Sequence, residues 1–138
     1  MKLDEVTCIG VVGAGQMGSG IAQVLATSGW HVLLTDVGHD QVEAGLARVR
    51  GGIGKAVEKG RLTEARGKAA TSLVESTTEM AHLRRAQLII EAVTEEPGLK
   101  ETLFRQLGGL CAPASILASN TSSISISRLG SASGRPDR

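Results

Sequence analysis

"VVGAGQMGSG", residues Val11–Gly20, places glycines at 13, 15 and 18 in the spacing Gly-x-Gly-x-x-Gly. The spacing alone decides little. With 18 glycines in 138 residues, chance supplies about 0.3 such matches in a chain of this length, so the surroundings must carry the reading. An apolar run, Val6–Val12, leads into the glycines and reads as a buried strand. Ile21, Val24, Leu25 and Ser28 then recur at helical spacing, and Gly29 supplies a stop. "HVLLTD", His31–Asp36, is a second buried run that ends on an acid. The glycines therefore sit between a strand and a helix, inside a strand–helix–strand unit.

That context gives each glycine a task. Gly13 makes the tight turn, Gly15 lets the backbone approach a pyrophosphate, and Gly18 lets the helix pack closely on the strand. The turn from Gly13 through Ala14, Gly15, Gln16 and Met17 to Gly18 is thus a candidate dinucleotide cradle. The phosphates would lie at the helix N-terminus, where unpaired N–H groups and the helix dipole favour negative charge. Asp36 stands where a carboxylate would receive the adenosine ribose hydroxyls. The same carboxylate repels a 2′-phosphate, and Val37 offers no arginine to welcome one, so the expected cofactor is NAD rather than NADP.

Further along, Val42, Leu46, Val49, Ile53 and Val57 trace one face of a long helix. Gly45, Gly51, Gly52 and Gly54 weaken its propensity by up to about 1 kcal/mol each, so packing must hold it. "KGRLTEARGKA" reads as a turn and a short helix with Thr63 as its cap, and Ser72–Glu75 as a short third strand. "AQLIIEAV", Ala86–Val93, is a fourth strand. Pro97 can open a helix with Leu99, Leu103, Leu107 and Leu110 on its buried stripe. "ASILASN" is a fifth strand, the "SISIS" that follows reads as a short edge segment, and Ser131–Arg138 reads as loose tail. Apolar strands alternating with helices imply a parallel sheet covered on both faces. The expected class is α/β, a Rossmann-type doubly wound sheet in strand order 3-2-1-4-5.

Composition narrows the function classes. The chain is 41% hydrophobic and 21% charged with a net charge of +1, the profile of one globular domain. So small a charge gives no electrostatic reason to expect nucleic acid or an anionic membrane as partner. Trp30 and Phe104 are the only aromatic residues, which removes the stacking platforms of single-strand binders. No run approaches the ~20 apolar residues of a membrane span, and the start of the chain lacks the charge order of a signal peptide. Cys8 and Cys111 stand far apart, without metal-ligand spacing, and read as reduced core residues. The expected compartment is the cytoplasm.

"IGVVGAGQMGSGIAQVLATSGWHVLLTD", "IIEAVTEE", "LKETLF" and "ILASNTSSISIS" together resemble the NAD-binding domain of the 3-hydroxyacyl-CoA dehydrogenases, from about Val6 to Arg138. The Ser-Asn-Thr-Ser-Ser block is more specific than the glycines. The resemblance implies reversible oxidation of the 3-hydroxyl of an acyl-CoA, with hydride passing to NAD. By matched position it implies that Glu95 and Lys100 contact the cofactor from the fourth-strand side. It places Asn120 and Ser122 beside nicotinamide and substrate, with the Ser122 hydroxyl on the reacting oxygen. Lys59 falls near a family lysine that meets coenzyme A phosphates. The family's general-base histidine lies in a segment beyond the position of Arg138, so no catalytic residue is expected within the chain. His31, His39 and His82 read as ordinary strand-end or surface residues. The family's helical substrate and dimerisation domain and its sixth strand are likewise expected outside these residues, leaving the fifth strand as an open edge. That edge is expected either to self-associate or to be covered by the segment from Ser122 onward folding back. Two alternatives stay open. One is a 3-hydroxyisobutyrate, 6-phosphogluconate or gulonate-type dehydrogenase domain, the first two of which share a Gly-x-Gly-x-Met-Gly start. The other is a stand-alone NAD-binding module that acts without catalysis.

Overall fold

The computed structural model describes residues 1–138. Five strands, β1 (Cys8–Val12), β2 (His31–Thr35), β3 (Val74–Thr77), β4 (Leu88–Glu91) and β5 (Ile116–Ser119), form one sheet. Its order is β3-β2-β1-β4-β5 and every pairing is parallel. The helices are α1 (Gln16–Thr27), α2 (His39–Glu58), α3 (Glu64–Ser72), α4 (Pro97–Leu110) and α5 (Ile126–Ser133). A 3-10 turn at Met80–Arg85 leads into β4 and contains His82.

Because side chains alternate across a strand, one sheet yields two cores. Val11, Val32 and Leu34 point to α1, α2 and α3, where Ala22, Leu46, Val49 and Ile53 meet them. Cys8, Val12, Leu33 and Ile89 point the other way, to Leu83, Leu103 and Leu107. Burial pushes both thiols, Cys8 and Cys111, above their ordinary range, so they stay protonated in the core.

α2 runs unbroken for 20 residues despite its glycines, since Val42, Leu46, Val49 and Ile53 are all buried on one face. Thr63 caps α3 by accepting the Arg66 N–H.

Several expectations need correction. β1 begins at Cys8 because Leu3–Glu5 forms a 3-10 turn that Val6 closes, and the amides of Thr7 and Cys8 are taken by the Gln87 side chain. The third strand starts two residues later than expected, since Ser72 still belongs to α3. On α4 the stripe is shifted: Leu99 is 45% exposed while Lys100 and Phe104 are buried. The "SISIS" stretch is not an edge segment. Ser125 accepts the Arg128 N–H and opens α5. Nor is Ser131–Arg138 loose. α5 runs to Ser133, Gly134 closes it in the left-handed conformation, and the Arg135 guanidinium donates to the carbonyls of Gly108, Cys111 and Ala112. The Leu117 N–H on the outer edge of β5 donates to the Arg138 carbonyl at 2.7 Å. Contact of that edge with the segment from Ser122 onward folding back, one of its two expected fates, is thus present at Leu117.

Candidate functional site

The site lies at the carboxyl ends of β1, β2 and β4, where the sheet order reverses between β1 and β4. In open α/β sheets that crevice is where ligands bind. Gly13 leaves β1 with φ +107°, and a Cβ there would strike the Ala92 carbonyl. A Cβ on Gly18 would run into the Gly13 carbonyl, so the helix can rest on the turn only without a side chain. Gly15 differs from both. Its φ is −72°, and a Cβ would meet nothing within 4 Å. Neither backbone geometry nor internal packing calls for a glycine at that position, and the space above it is open to the approach of a ligand. Gly15 also precedes α1, and no capping side chain satisfies the first N–H groups of that helix.

The residue between the first two glycines is clamped from both sides. The Ala14 N–H donates to Asp36 Oδ2 at 2.8 Å. Its carbonyl accepts Ser19 Oγ at 3.1 Å and Arg48 Nη1 at 3.0 Å. Asp36 Oδ1 takes the Val37 N–H at 2.7 Å. A carboxylate offers about four lone-pair sites, so two hydrogen bonds leave capacity for ribose hydroxyls. On one side of Asp36 a cleft of about 500 Å³ is bordered by Gly13, Val37, Met80, Val93 and Leu99. The buried Thr35 hydroxyl, which has no hydrogen-bond partner, lines it too. On the other side a smaller groove of about 290 Å³ runs between the turn and α2. An apolar cleft, an acceptor for hydroxyls and an open turn at a helix N-terminus fit adenine, ribose and pyrophosphate respectively.

A second polar cluster ties the ends of β4, α4 and β5 together. Lys100 Nζ is enclosed, 3.0 Å from Glu91 Oε1 and 3.3 Å from Glu95 Oε1. Glu91 is fully buried. It also accepts the Val93 N–H at 2.7 Å and the Ser119 hydroxyl. Glu95 accepts the Thr121 hydroxyl and, at 3.4 Å, the Ser122 N–H. The Thr121 hydrogen bond, with help from Ser122 and Lys100, holds its carboxyl below the ordinary glutamate range. Asn120 is anchored through its N–H to the Glu91 carbonyl at 2.8 Å, and both Asn120 and Ser122 are exposed.

The fold therefore gathers Gly13, Ala14, Gly15, Gln16, Met17, Gly18 and Asp36 on one side of the crevice mouth. Glu95, Asn120 and Ser122 stand on the other, with Lys100 beneath them. Lys59 is not gathered: it is exposed just past the end of α2, about 30 Å along that helix from its start. His31 and His39 open β2 and α2, and His82 lies in the turn before β4. Three contributors escaped the sequence reading. Glu91 had a signal, an acid closing an otherwise apolar strand, which requires a buried cation. Thr35 and Arg48 had none, since neither stands in a motif.

Residues 8–138 match the family model described as "3-hydroxyacyl-CoA dehydrogenase, NAD binding domain". A probable 3-hydroxybutyryl-CoA dehydrogenase of Deinococcus radiodurans is 44% identical over 127 residues, 92% of this chain and 45% of the relative. The 3-hydroxybutyryl-CoA dehydrogenase of Mycobacterium tuberculosis is 40% identical over 98% of this chain and 48% of its own. Among solved structures, the (S)-3-hydroxybutyryl-CoA dehydrogenase of Ralstonia eutropha superposes with a TM-score of 0.93 at 37% identity, covering 96% of this chain and 47% of that one. The chain spans about half the length of the relatives it matches.

Proposed function

The chain belongs to the 3-hydroxyacyl-CoA dehydrogenase family, as its NAD-binding domain, and from that premise we propose that it is the cofactor-holding half of an enzyme moving hydride between the 3-hydroxyl of an acyl-CoA and NAD. The carrying observation is the space left over Gly15 at the N-terminus of α1, beside the Asp36 carboxylate. Relatives named for 3-hydroxybutyryl-CoA, rather than for 3-hydroxyisobutyrate, support the substrate class.

In this reading the turn Gly13–Gly18, with Ala14, Gln16 and Met17, receives the pyrophosphate, and Asp36 accepts the adenosine ribose hydroxyls. The bound nicotinamide supplies the hydride acceptor. Glu95 and the exposed Asn120 and Ser122 border the nicotinamide end, the Ser122 hydroxyl orienting the reacting oxygen. Lys100, enclosed by two carboxylates, serves by keeping Glu95 in place. Lys59, exposed past the end of α2 and apart from this cluster, is given to the coenzyme A phosphates by its matched position alone. The general-base histidine and the helical domain that orients the substrate belong to sequence outside residues 1–138. Two free buried thiols suit a reducing, cytoplasmic setting.

Fluorescence titration tests the cofactor assignment. The chain is expected to bind NADH more tightly than NADPH, and Asp36→Ala to narrow the gap by relieving repulsion of the 2′-phosphate. Equal affinities in the unmodified chain would defeat the ribose assignment. In the same assay acetoacetyl-CoA should not consume NADH, since a positioned acid or base contributes 10²–10⁴-fold and none of the three histidines stands among the residues gathered at the nicotinamide side.

A further inference from the structure

The groove on the α2 side of Asp36 is lined by Ala14, Gly15, Asp36, Asp40, Gln41, Ala44 and Arg48. It shares Gly15 and Asp36 with the larger apolar cleft, whose lining holds no lysine or arginine. Arg48 is thus the one cation bordering either space. Lys100, the other basic group near the crevice, is buried against Glu91 and Glu95. Arg48 itself has no carboxylate within ion-pair distance. A single guanidinium N–H is engaged, by the Ala14 carbonyl, so most of its five donors remain free. An arginine that spends one donor on the peptide preceding Gly15, and faces carboxylates without pairing, is held beside the turn.

The need for such a charge follows from the ligand. A dinucleotide brings a pyrophosphate with two negative charges into a crevice whose nearest acids are Asp36 and Asp40. The α1 N-terminus offers only about half a charge in compensation. We infer that Arg48 is a phosphate-recognising residue of the cofactor site, its guanidinium held beside Gly15 by the Ala14 carbonyl and presented to the pyrophosphate. This rests on the NAD reading above and adds a residue that neither the glycine spacing nor the matched motifs supply. The 2′-phosphate of NADP shares the same chemistry, and the groove adjoins Asp36, so the two phosphates must be told apart experimentally. Loss of the side chain does not strand the turn, because Ser19 Oγ still satisfies the Ala14 carbonyl.

The test compares unmodified chain, Arg48→Met and Arg48→Lys in titrations with NADH, NADPH and adenosine over a range of salt. Arg48→Met is expected to weaken NADH about tenfold, the scale of one charged hydrogen bond, and to flatten the dependence of affinity on salt. Arg48→Lys should recover most of the loss, and adenosine, which has no phosphate, should bind all three alike. A loss confined to NADPH would overturn the pyrophosphate assignment and place the guanidinium at the 2′-phosphate instead. NADH and NADPH affinities of Arg48→Met that both stay within twofold of those of the unmodified chain would overturn the inference. So would an equal loss for adenosine, or a loss unaffected by salt and not recovered by lysine, since either assigns Arg48 to the turn alone. If the unmodified chain bound no NADH, the cofactor reading itself would fail instead.

Discussion

At the residue scale, the centre of the site depends on one enclosed ammonium. Lys100 is the largest fully buried side chain, and Glu91 beside it is equally buried. Removing one partner of such a pair leaves a charge in low dielectric, a loss of about 3–5 kcal/mol. Lys100→Met is therefore expected to lower the unfolding free energy in urea by that amount, and a second change, Glu91→Gln, to restore a good part by removing the stranded charge. A double variant less stable than the single one would show that the pair is not the source. Glu95 gives the pH counterpart. Its pKa is lowered in the fold, first by the Thr121 hydroxyl, so its stabilising share is present above the ordinary value of 4.5 and fades as pH falls through the lower folded value. The melting difference between unmodified chain and Glu95→Gln should be steady near neutrality and shrink on acidification below about pH 4.5. A difference that grew in acid would reverse the assignment.

At the scale of elements, legibility followed periodicity. β1, α1, β2 and α2 could be read because an apolar run, a glycine turn and a 3.6-residue stripe each leave a pattern within a short window. Asp36 could be read too, since its role depends on its place at the end of one strand. The end of the chain could not. "TSSISISRLGSASGRPDR" is polar and small, and α5 is organised by contacts distant in sequence rather than by its own propensity. Leu129 is its buried large side chain, and the carbonyl of Ser133 approaches Gly108 on α4 so closely that a Cβ there would clash. Arg135 completes the junction by filling three carbonyls at the C-terminus of α4, where cations are favoured. Arg135→Ala should cost about 2 kcal/mol in urea unfolding. Arg135→Lys should recover less than half of it, because an ammonium lacks the planar fork that spans separate carbonyls. Full recovery by lysine would mean that charge alone carries the cap.

At the scale of the whole molecule, the sheet within residues 1–138 runs from β3 to β5, and outward backbone groups left unpaired on a strand invite pairing with other chains. β5 is short and half-buried, with Ile116 and Leu117 apolar and no lysine or proline within Ile116–Ser119. Its inward N–H groups, at Ile116 and Asn120, pair with Gln87 and Glu91. Its outward Leu117 N–H is taken by the Arg138 carbonyl, and Arg135 fastens the segment that delivers that carbonyl. Residues 134–138 thus lie along β5, fastened by one charged anchor. Hydrogen exchange should find the Leu117 amide nearly as protected as those of β1, with the chain's size constant across a concentration series. Removing residues 134–138 withdraws both the carbonyl and the anchor while leaving the sheet, α4 and α5 in the chain. The shortened protein should keep its circular dichroism, exchange Leu117 rapidly when dilute, and grow in apparent size with concentration as β5 finds a second copy. Should it instead remain a monomer with Leu117 still protected, the last five residues would not be what closes the edge.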